Sequence, residues 1–197
     1  MRPDPRIYIE ECPGVYPPSE DTLLLLDCLG DVRGRSVLEM GCGTGIIALH
    51  CAAAGAEVMA VDVNPRAVAC ARANAERNGM SLRVLLSDLF QEVQGKFEVI
   101  VFNPPYLPGE ALDDIDRSWA GGRDGVAVLA RFLSAAREHL SPGGSIYLLL
   151  SSLMDEEALQ RALAGYRWQE LGSRKCFFEV LSAARLWPES SDEGLPG

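Results

Sequence analysis

The most informative segment of the sequence is Val99-Ile100-Val101-Phe102-Asn103-Pro104-Pro105-Tyr106. Its first four residues are apolar and mostly β-branched, which predicts a buried strand. The strand must end at Asn103, because the two prolines that follow have no N–H to donate to a neighbouring strand. The rigid backbone leaves oxygen acceptors at Asn103 and Pro104, which suit an NH2 group, and the ring of Tyr106 can lie against a flat, π-bonded guest. Taken alone, the same residues also fit a rigid turn.

Strands and helices alternate along the rest of the chain, as hydrophobic periodicity and turn residues indicate. Predicted strands cover 36–40, 57–62, 82–86, 97–102 and 145–150, and predicted helices begin near 20, 46, 65, 126 and 155. The last two strands, 168–172 and 176–186, are predicted to pair as an antiparallel hairpin with its turn at 173–175. This alternation predicts a mostly parallel sheet with helices on both faces, whose ligands bind beyond the carboxyl ends of the strands.

Length and composition fit a single domain with a full core, since the chain has 197 residues, of which 48% are hydrophobic and 23% charged. We expect that domain to span residues 1–187. The tail 188–197 is rich in Ser, Glu, Gly and Pro and is expected to be disordered. The formal net charge of −10 would repel a phosphate backbone, which argues against direct binding of nucleic acid.

The six cysteines form no C-x-x-C pair, and several lie within apolar helical patterns. We therefore expect free thiols in a reducing compartment. A cytoplasmic location without membrane association also agrees with the N-terminus, which lacks the apolar core of a signal peptide, and with the lack of any apolar run approaching roughly 18 residues. His50 and His139 have no Cys or carboxylate at ligand spacing, so no metal site is predicted.

A glycine-rich loop follows the first predicted strand. Gly41, Gly43 and Gly45 have the spacing G-x-G-x-G, one residue shorter than the fingerprint of dinucleotide-binding folds. Glu39, beside this loop, would repel a pyrophosphate and attract an ammonium group. Asp62 ends the second strand, where a carboxylate can accept hydrogen bonds from both hydroxyls of a ribose. The ligand predicted at this loop therefore combines a ribose with a cationic end.

Asp88 and Leu89 follow the third predicted strand and complete the candidate cofactor site. Asp88 can accept a hydrogen bond from an adenine amino group, and Leu89 can contact the ring. An adenosine with a cationic amino-acid end is S-adenosylmethionine. Each feature alone also has a structural explanation, which is a tight turn at the glycines, a helix cap at Asp62 and a turn at Asp88. Their order and their common position at strand ends favour the cofactor.

On these residues the chain resembles the class I S-adenosylmethionine-dependent methyltransferases, and Asn103-Pro104-Pro105-Tyr106 narrows the resemblance to enzymes that methylate amino groups. The segments 15–22, 119–125 and 174–186 are similar to the HemK-type glutamine N5-methyltransferases of peptide-chain release factors. Residues 1–14 are too few for the helical domain that bacterial members carry, so the chain resembles the short archaeal and eukaryotic subfamily. Pro18 and Cys42 depart from the usual pattern of the family.

The resemblance implies an α/β, Rossmann-like fold with a mostly parallel seven-stranded sheet of order 3-2-1-4-5-7-6 and helices on both faces. It also implies S-adenosylmethionine as cofactor and N5-methylation of a glutamine in a class I release factor as the reaction. The residues implied to bind the cofactor are Thr22, Glu39, Gly41, Gly43, Gly45, Asp62, Asp88, Leu89 and Asn103. The residues implied to hold the substrate glutamine are Asn103, Pro104 and Tyr106.

A small zinc-binding activator of the Trm family is the partner that the resemblance implies. In the implied strand order the third strand, 82–86, lies at the edge of the sheet, and four of its five residues are apolar. Natural edge strands are usually protected against pairing with other chains by charged residues, proline or a bulge. Arg83 is the only charged residue of this strand. We therefore expect a strand of the activator to pair with this edge and form a heterodimer.

Two other functions stay open at the level of the sequence. An adenine-N6 methyltransferase of DNA or RNA would present the same NH2 group to the acceptor site, although the net charge argues against it. A scaffold without enzymatic activity is disfavoured by Glu39, Asp62 and Asn103. The sequence also leaves open whether lysine is methylated, and whether Trp119, within the acidic stretch 107–122, covers the cleft or contacts a partner.

Overall fold

The computed structural model describes residues 1–107, 109, 121–122 and 125–189. The helices of these residues are α1 (Glu20–Cys28), α2 (Ile46–Ala53), α3 (Pro65–Arg77), α4 (Ala127–Ala136) and α5 (Glu156–Leu163). The strands are β1 (Ser36–Met40), β2 (Glu57–Asp62), β3 (Arg83–Leu86), β4 (Phe97–Phe102), β5 (Leu140–Ser151), β6 (Tyr166–Cys176) and β7 (Glu179–Pro188). The expectations for Trp119, for the acidic residues near it and for residues 190–197 lie outside the described residues.

These strands form one sheet of order β3-β2-β1-β4-β5-β7-β6, which confirms the predicted order. β1 to β5 are parallel, and β7 is antiparallel to both β5 and β6. From β1 the chain builds outward through β2 to β3 and then returns to β4 on the other side of β1. Glu39 of β1 pairs with Val101, and Met40 pairs with Phe102. The ends of β1 and β4 therefore lie side by side at the point where the strand order reverses, which is where such sheets bind ligands.

β4 contributes to the apolar core on both faces of the sheet. Ile100 and Phe102 pack in the cluster that includes Phe132 of α4. Val101 packs in the cluster that includes Leu25 of α1. Because helices cover both faces, the second half of the strand is apolar at every position, as is usual for a central parallel strand. Among the helices of the described residues, none combines the length and the hydrophobicity that a membrane span requires.

The final hairpin differs from its prediction. Pairing between β6 and β7 continues to Cys176 opposite Glu179, so the turn lies at 177–178 and the prediction of a turn at 173–175 is wrong. The register shifts between Glu170 and Gly172. This bulge accommodates one extra residue in β6. The polar residues 173–175 after it pair with β7 and do not form a turn.

Three element ends also differ from their predictions. β5 begins at Leu140 and not at 145, and a short 3-10 turn, Arg137–His139, ends the fourth helix. β7 runs to Pro188, so the prediction of disorder is wrong for this residue. Ladder pairing with β6 extends β7, since Tyr166 pairs with Pro188. The prediction of a disordered tail was based on local composition, which carries no information about such long-range pairing.

Cys12 and Cys70 form a disulfide, so the expectation that all six cysteines are free is wrong. The two residues are 58 positions apart, and they meet because the N-terminal arm lies along α3. The side chain of Asn74 in α3 accepts from the N–H of Glu10 and donates to its carbonyl, both at 3.0 Å. A contact between an irregular segment and a helix has no signature in cysteine spacing. The free cysteines are Cys28, Cys42, Cys51 and Cys176.

Candidate active site

A cavity of about 740 Å³ opens at the carboxyl ends of β1, β2 and β4. Pockets that enclose small ligands usually have volumes of roughly 300–1,000 Å³. The predicted site residues on its wall are Thr22, Glu39, Gly41, Gly43, Asp62, Asp88, Leu89, Asn103, Pro104 and Tyr106. The fold therefore brings the candidate cofactor residues and the candidate substrate residues to a single cavity.

The glycine-rich loop forms the part of the wall between β1 and α2. Gly41 and Gly43 have φ angles of 65° and 53°, which residues with a Cβ rarely adopt. Gly45, which the sequence predicted to bind the cofactor, does not line the cavity. It is the N-cap of α2, and a Cβ on it would lie 3.0 Å from the Cβ of Ala71 in α3. Its effect on the site is therefore indirect, since it lets α2 and α3 approach each other behind the loop.

Asp62 is oriented by two backbone donors. Its Oδ2 accepts from the N–H of Gly43 at 2.9 Å, and its Oδ1 accepts from the N–H of Asn64 at 2.8 Å. Burial raises the pKa of this carboxyl, and the N–H groups of Asn64 and Gly43 act in the opposite direction. The N-cap of α3 is Asn64 and not Asp62. Asp62 thus keeps one orientation, with lone pairs left for hydroxyl donors in the cavity.

Glu39 is a buried carboxyl, with only 3% of its surface exposed. Its Oε2 accepts from the N–H of Ala48 at 2.8 Å. Burial raises its pKa well above the ordinary value, and the charge of Asp62 adds to the effect. No Lys or Arg in the described part of the chain forms an ion pair with it. A cationic ligand in the cavity would offset the cost of this buried charge.

Asp88 forms an ion pair that was not predicted from the sequence. Arg131 of α4 also lines the cavity, and its Nη2 lies 2.8 Å from Oδ2 of Asp88. The neighbouring Leu89 has a φ of 50°, unusual for a bulky side chain, and the hydroxyl of Ser87 donates to its carbonyl at 2.7 Å. The turn therefore holds Asp88 and Leu89 at the wall. Arg131 lies on an amphipathic helix far along the chain, and no motif in the sequence marks it.

Oδ1 of Asn103 is buried and has no hydrogen-bond partner among the described residues. A buried acceptor without a donor costs about 1–3 kcal/mol, and such atoms are rare in native proteins. Pro104 is buried beside it, and Tyr106 is half-buried. Burial and the charge of Asp21 raise the pKa of the Tyr106 phenol, which stays neutral at physiological pH. This part of the wall thus presents an unpaired acceptor next to a neutral aromatic ring.

Tyr16 and Asp21 also line the cavity, although the sequence analysis gave them no role there. Asp21 is only 2% exposed, and its carboxylate accepts from the hydroxyls of Tyr16 at 2.8 Å and of Thr22 at 3.1 Å. Burial, followed by the charge of Asp21, raises the pKa of Tyr16. Both residues lie in the segment 15–22 that carried the family resemblance, so a signal for them was available.

The two histidines lie outside the cavity wall. His50 is buried in α2, with its Nδ1 2.7 Å from the carbonyl of Ile46. His139 stacks on Phe90 with ring centroids 4.5 Å apart. Within the residues that the structure covers, no group of three or more His, Cys, Asp or Glu side chains is placed to hold a metal ion.

Sequence comparison relates the chain to known methyltransferases. The model of the methyltransferase small domain family matches residues 8–173. MJ0928 of Methanocaldococcus jannaschii, provisionally named a protein N5-glutamine methyltransferase, is 41% identical over 182 residues. That similarity covers 89% of this chain and 92% of the relative.

Solved structures extend the comparison. The Mtq2–Trm112 complex of E. cuniculi, described as responsible for methylation of the translation termination factor eRF1, has a TM-score of 0.71 at 28% identity, over 89% of this chain and 99% of the matching chain. The 16S rRNA methyltransferase RsmC of T. thermophilus, in complex with AdoMet and guanosine, has a TM-score of 0.67 at 28% identity, over 89% of this chain and 46% of that chain.

Proposed function

The chain belongs to the methyltransferase small domain family, and we propose that it methylates N5 of a glutamine side chain in a class I peptide-chain release factor. The observation that carries this proposal is the buried, unpaired Oδ1 of Asn103 on the cavity wall. The partner that this atom lacks is a hydrogen-bond donor, and the NH2 of a primary amide provides two. Similarity to MJ0928 and to Mtq2 supports a glutamine of a release factor as that amide.

S-adenosylmethionine is the cofactor, and the residues on the wall fit its parts. The buried charge of Glu39 suits the ammonium of the amino-acid end, and the oriented carboxylate of Asp62 suits the two ribose hydroxyls. Asp88 and Leu89 suit the adenine, through its amino group and its ring. When bound, S-adenosylmethionine supplies a methyl group on a positively charged sulfur.

Asn103 and Pro104 would hold and activate the substrate amide. An amide nitrogen is a weak nucleophile because its lone pair is delocalised into the carbonyl. Acceptors on both of its N–H bonds, the Oδ1 of Asn103 and the carbonyl of Pro104, would raise the electron density on nitrogen and fix the direction of attack. The ring of Tyr106 would lie against the flat amide. Catalysis on this account comes from positioning and electrostatics.

The reaction requires the nitrogen to lose one proton, and the chain has no need of a strong base for it. A nitrogen that has gained a methyl group is far more acidic than the starting amide, so solvent can accept the proton. Tyr16 and Tyr106 do not act as bases at neutral pH, because burial raises the pKa of each phenol. Transfer to nitrogen therefore precedes the loss of the proton.

A small zinc-binding activator of the Trm family is the second subunit that we propose. β3 is an edge strand, and Leu86 at its end is 52% exposed. Arg72 donates to the carbonyl of Val84, so one group of this edge already has a partner. A strand of the activator would pair with the remaining groups. The presence of Trm112 in the similar complex supports a second subunit of this kind.

An adenine-N6 methyltransferase of DNA or RNA is the competing function, because the exocyclic NH2 of adenine would present the same donors to the acceptor site. RsmC, a protein of similar fold, is described as an rRNA methyltransferase that acts on N2 of a guanosine. The net charge of −10 argues against the competing function. The deciding experiment incubates the protein and labelled S-adenosylmethionine with release factor or with nucleic acid. We expect label only in the release factor, mapped by mass spectrometry to one glutamine and lost when that glutamine is replaced by alanine. Label in nucleic acid alone would overturn the proposal. Label on a lysine of the release factor would show that the methylated side chain is lysine and not glutamine.

A substrate that acts in translation also implies a cytoplasmic protein. On the same account residues 1–187 act as one catalytic domain, since wall residues come from both the N-terminal segment, at Thr22, and α4, at Arg131.

A further inference from the structure

Two adjacent phenylalanines form the tip of the β6–β7 hairpin and are almost fully exposed. Phe177 is 99% exposed and Phe178 is 81% exposed. Phe177 also has a φ of 46°, in a region that bulky residues avoid. Two-residue hairpin turns usually carry Asn, Asp or Gly at such a position. The tip therefore combines an unfavourable backbone conformation with unfavourable exposure of two aromatic rings, which together indicate a binding surface.

The hairpin tip stands at the same end of the sheet as the cavity. β7 is antiparallel to β5, with Leu181 opposite Ser151, the last residue of β5. Phe177 and Phe178 therefore lie beyond the carboxyl end of β5, where the carboxyl ends of β1 and β4 also open into the cavity. The hydroxyl of Ser151 donates to the carboxylate of Glu179 at 2.6 Å, which holds the base of the tip against β5.

Two further interactions link the hairpin to the cavity wall. Arg174 of β6 forms an ion pair with Glu20, the residue that precedes the wall residue Asp21. Burial and Asp21 raise the pKa of the Tyr106 phenol, and Glu179 adds to the effect. Glu179 follows the tip directly, and its carboxylate is one of the charges that raise this pKa.

We propose that Phe177 and Phe178 are the docking contact for the protein that presents the glutamine, an inference that rests on the proposed function. The acceptor site at Asn103 holds one side chain, so a folded protein substrate needs further contacts outside the cavity. The occupant is an apolar surface of the release factor next to its glutamine-bearing loop. Glu179, at the base of the tip, has no cationic partner among the described side chains, so basic residues on that surface would complement its charge.

The position of the tip argues for the substrate over two other occupants. The activator is proposed at β3, and the β6–β7 hairpin forms the opposite edge of the sheet. A second copy of the chain would bring together two molecules that each carry a net charge of −10. Only the substrate needs a surface beside the cavity itself.

The test compares the wild type with Phe177→Ser/Phe178→Ser and with Phe178→Ser alone, which leaves the residue at positive φ unchanged. Tyr8→Ser is the matched control, because Tyr8 is 62% exposed and its N–H bonds to Asn78, at the end of α3 away from the cavity. Each variant, with its activator, is assayed on whole release factor and on a short peptide that contains the same glutamine. Calorimetry with S-adenosylhomocysteine and light scattering report cofactor affinity and self-association.

We expect kcat/KM for whole release factor to fall about tenfold or more in the double variant, mainly through KM. The values for the peptide, the cofactor affinity and all values for Tyr8→Ser should stay at the wild-type level. An unchanged kcat/KM on release factor would overturn the docking contact and leave the proposed function intact. An equal loss of kcat/KM on the peptide would assign the tip to the active site. Loss of activator binding would assign it to the activator interface, and loss of a self-associated species would assign it to contact between copies of the chain. A wild type inactive on release factor would overturn the proposed function itself.

Discussion

Arg131 of α4 places its Nη2 2.8 Å from Oδ2 of Asp88, and the pair joins α4 to the turn after β3 at the cavity wall. The two side chains are 55% and 39% exposed. An ion pair so accessible to solvent contributes about 0–1 kcal/mol to folding. The pair therefore adds little to stability, and we expect its effect to be on the orientation of the Asp88 carboxylate at the wall.

Replacing Arg131 should weaken cofactor binding less than replacing Asp88. We expect Arg131→Leu to raise the Kd for S-adenosylmethionine by about two- to fivefold, because Asp88 loses orientation but keeps its oxygens. Asp88→Ala should raise it by about tenfold or more, because the acceptor for the adenine amino group is lost. Calorimetry measures both, with Arg161→Leu, which removes an exposed pair with Glu157, as the control. Equal affinities throughout would show that Asp88 does not contact the adenine.

Asp62→Ala should raise the cofactor Kd by at least about 30-fold, since both ribose hydroxyls lose their acceptor. The N–H of Gly43 loses its acceptor as well, so circular dichroism must show that the loop and fold persist. Asp62→Asn keeps the shape of the side chain and should fall between the wild type and the alanine variant. A calorimetric affinity unchanged in Asp62→Ala would remove Asp62 from the cofactor site.

Asn103→Ala should abolish methyl transfer, with the loss in kcat, and leave cofactor affinity within about twofold of the wild type. Cofactor affinity should persist because we assign Oδ1 to the substrate amide and not to the cofactor, although the family resemblance also implied that Asn103 binds the cofactor. The midpoint of thermal unfolding should not fall, because Oδ1 has no partner among the described residues whose loss would cost stability. Single-turnover rates and thermal unfolding test the two parts separately. Near-normal turnover would reduce Asn103 to a residue that ends β4.

Glu39 should make the ligand-free protein less stable as pH rises. Burial raises its folded pKa well above the ordinary 4.5, so the folded state binds this proton more tightly than the unfolded state. Stability from this group is full below 4.5 and is lost as pH rises through the folded pKa. Between about pH 5 and pH 8, the ligand-free wild type should therefore lose more stability than ligand-free Glu39→Gln. Parallel pH profiles of Tm would contradict this account.

The proposed activator surface is best tested at Leu86. Val84 of the same strand is 3% exposed and packs with Ala60, so a charge there would unfold the protein and test nothing. We expect Leu86→Lys to reduce recovery of the activator on co-expression by about tenfold while Tm stays near the wild-type value. Trp168→Lys is the control, because Trp168 is 43% exposed on β6 at the other edge. A complex that survives Leu86→Lys would place the partner elsewhere.

The features that depend on local chemistry could be predicted from the sequence. The missing N–H of Pro104 and Pro105 ends β4 at Phe102, immediately before Asn103. Hydrophobic periodicity placed the alternating strands and helices, and the glycine spacing placed a loop at positive φ after β1. Because carboxyl ends of parallel strands share one edge of a sheet, most of the cavity wall followed from the strand assignments.

Tertiary structure alone decided the contacts between elements that are distant in the chain. It paired Cys12 with Cys70, placed Arg131 beside Asp88 and moved Gly45 off the cavity wall. It also placed the hairpin turn at 177–178, since pairing between β6 and β7 continues to Cys176 opposite Glu179 and leaves the two phenylalanines exposed at the tip. Such contacts arise from the packing of whole helices and strands against one another. Hydrophobic periodicity indicates which face of a helix or strand is buried, but it does not indicate which residues of two distant elements meet.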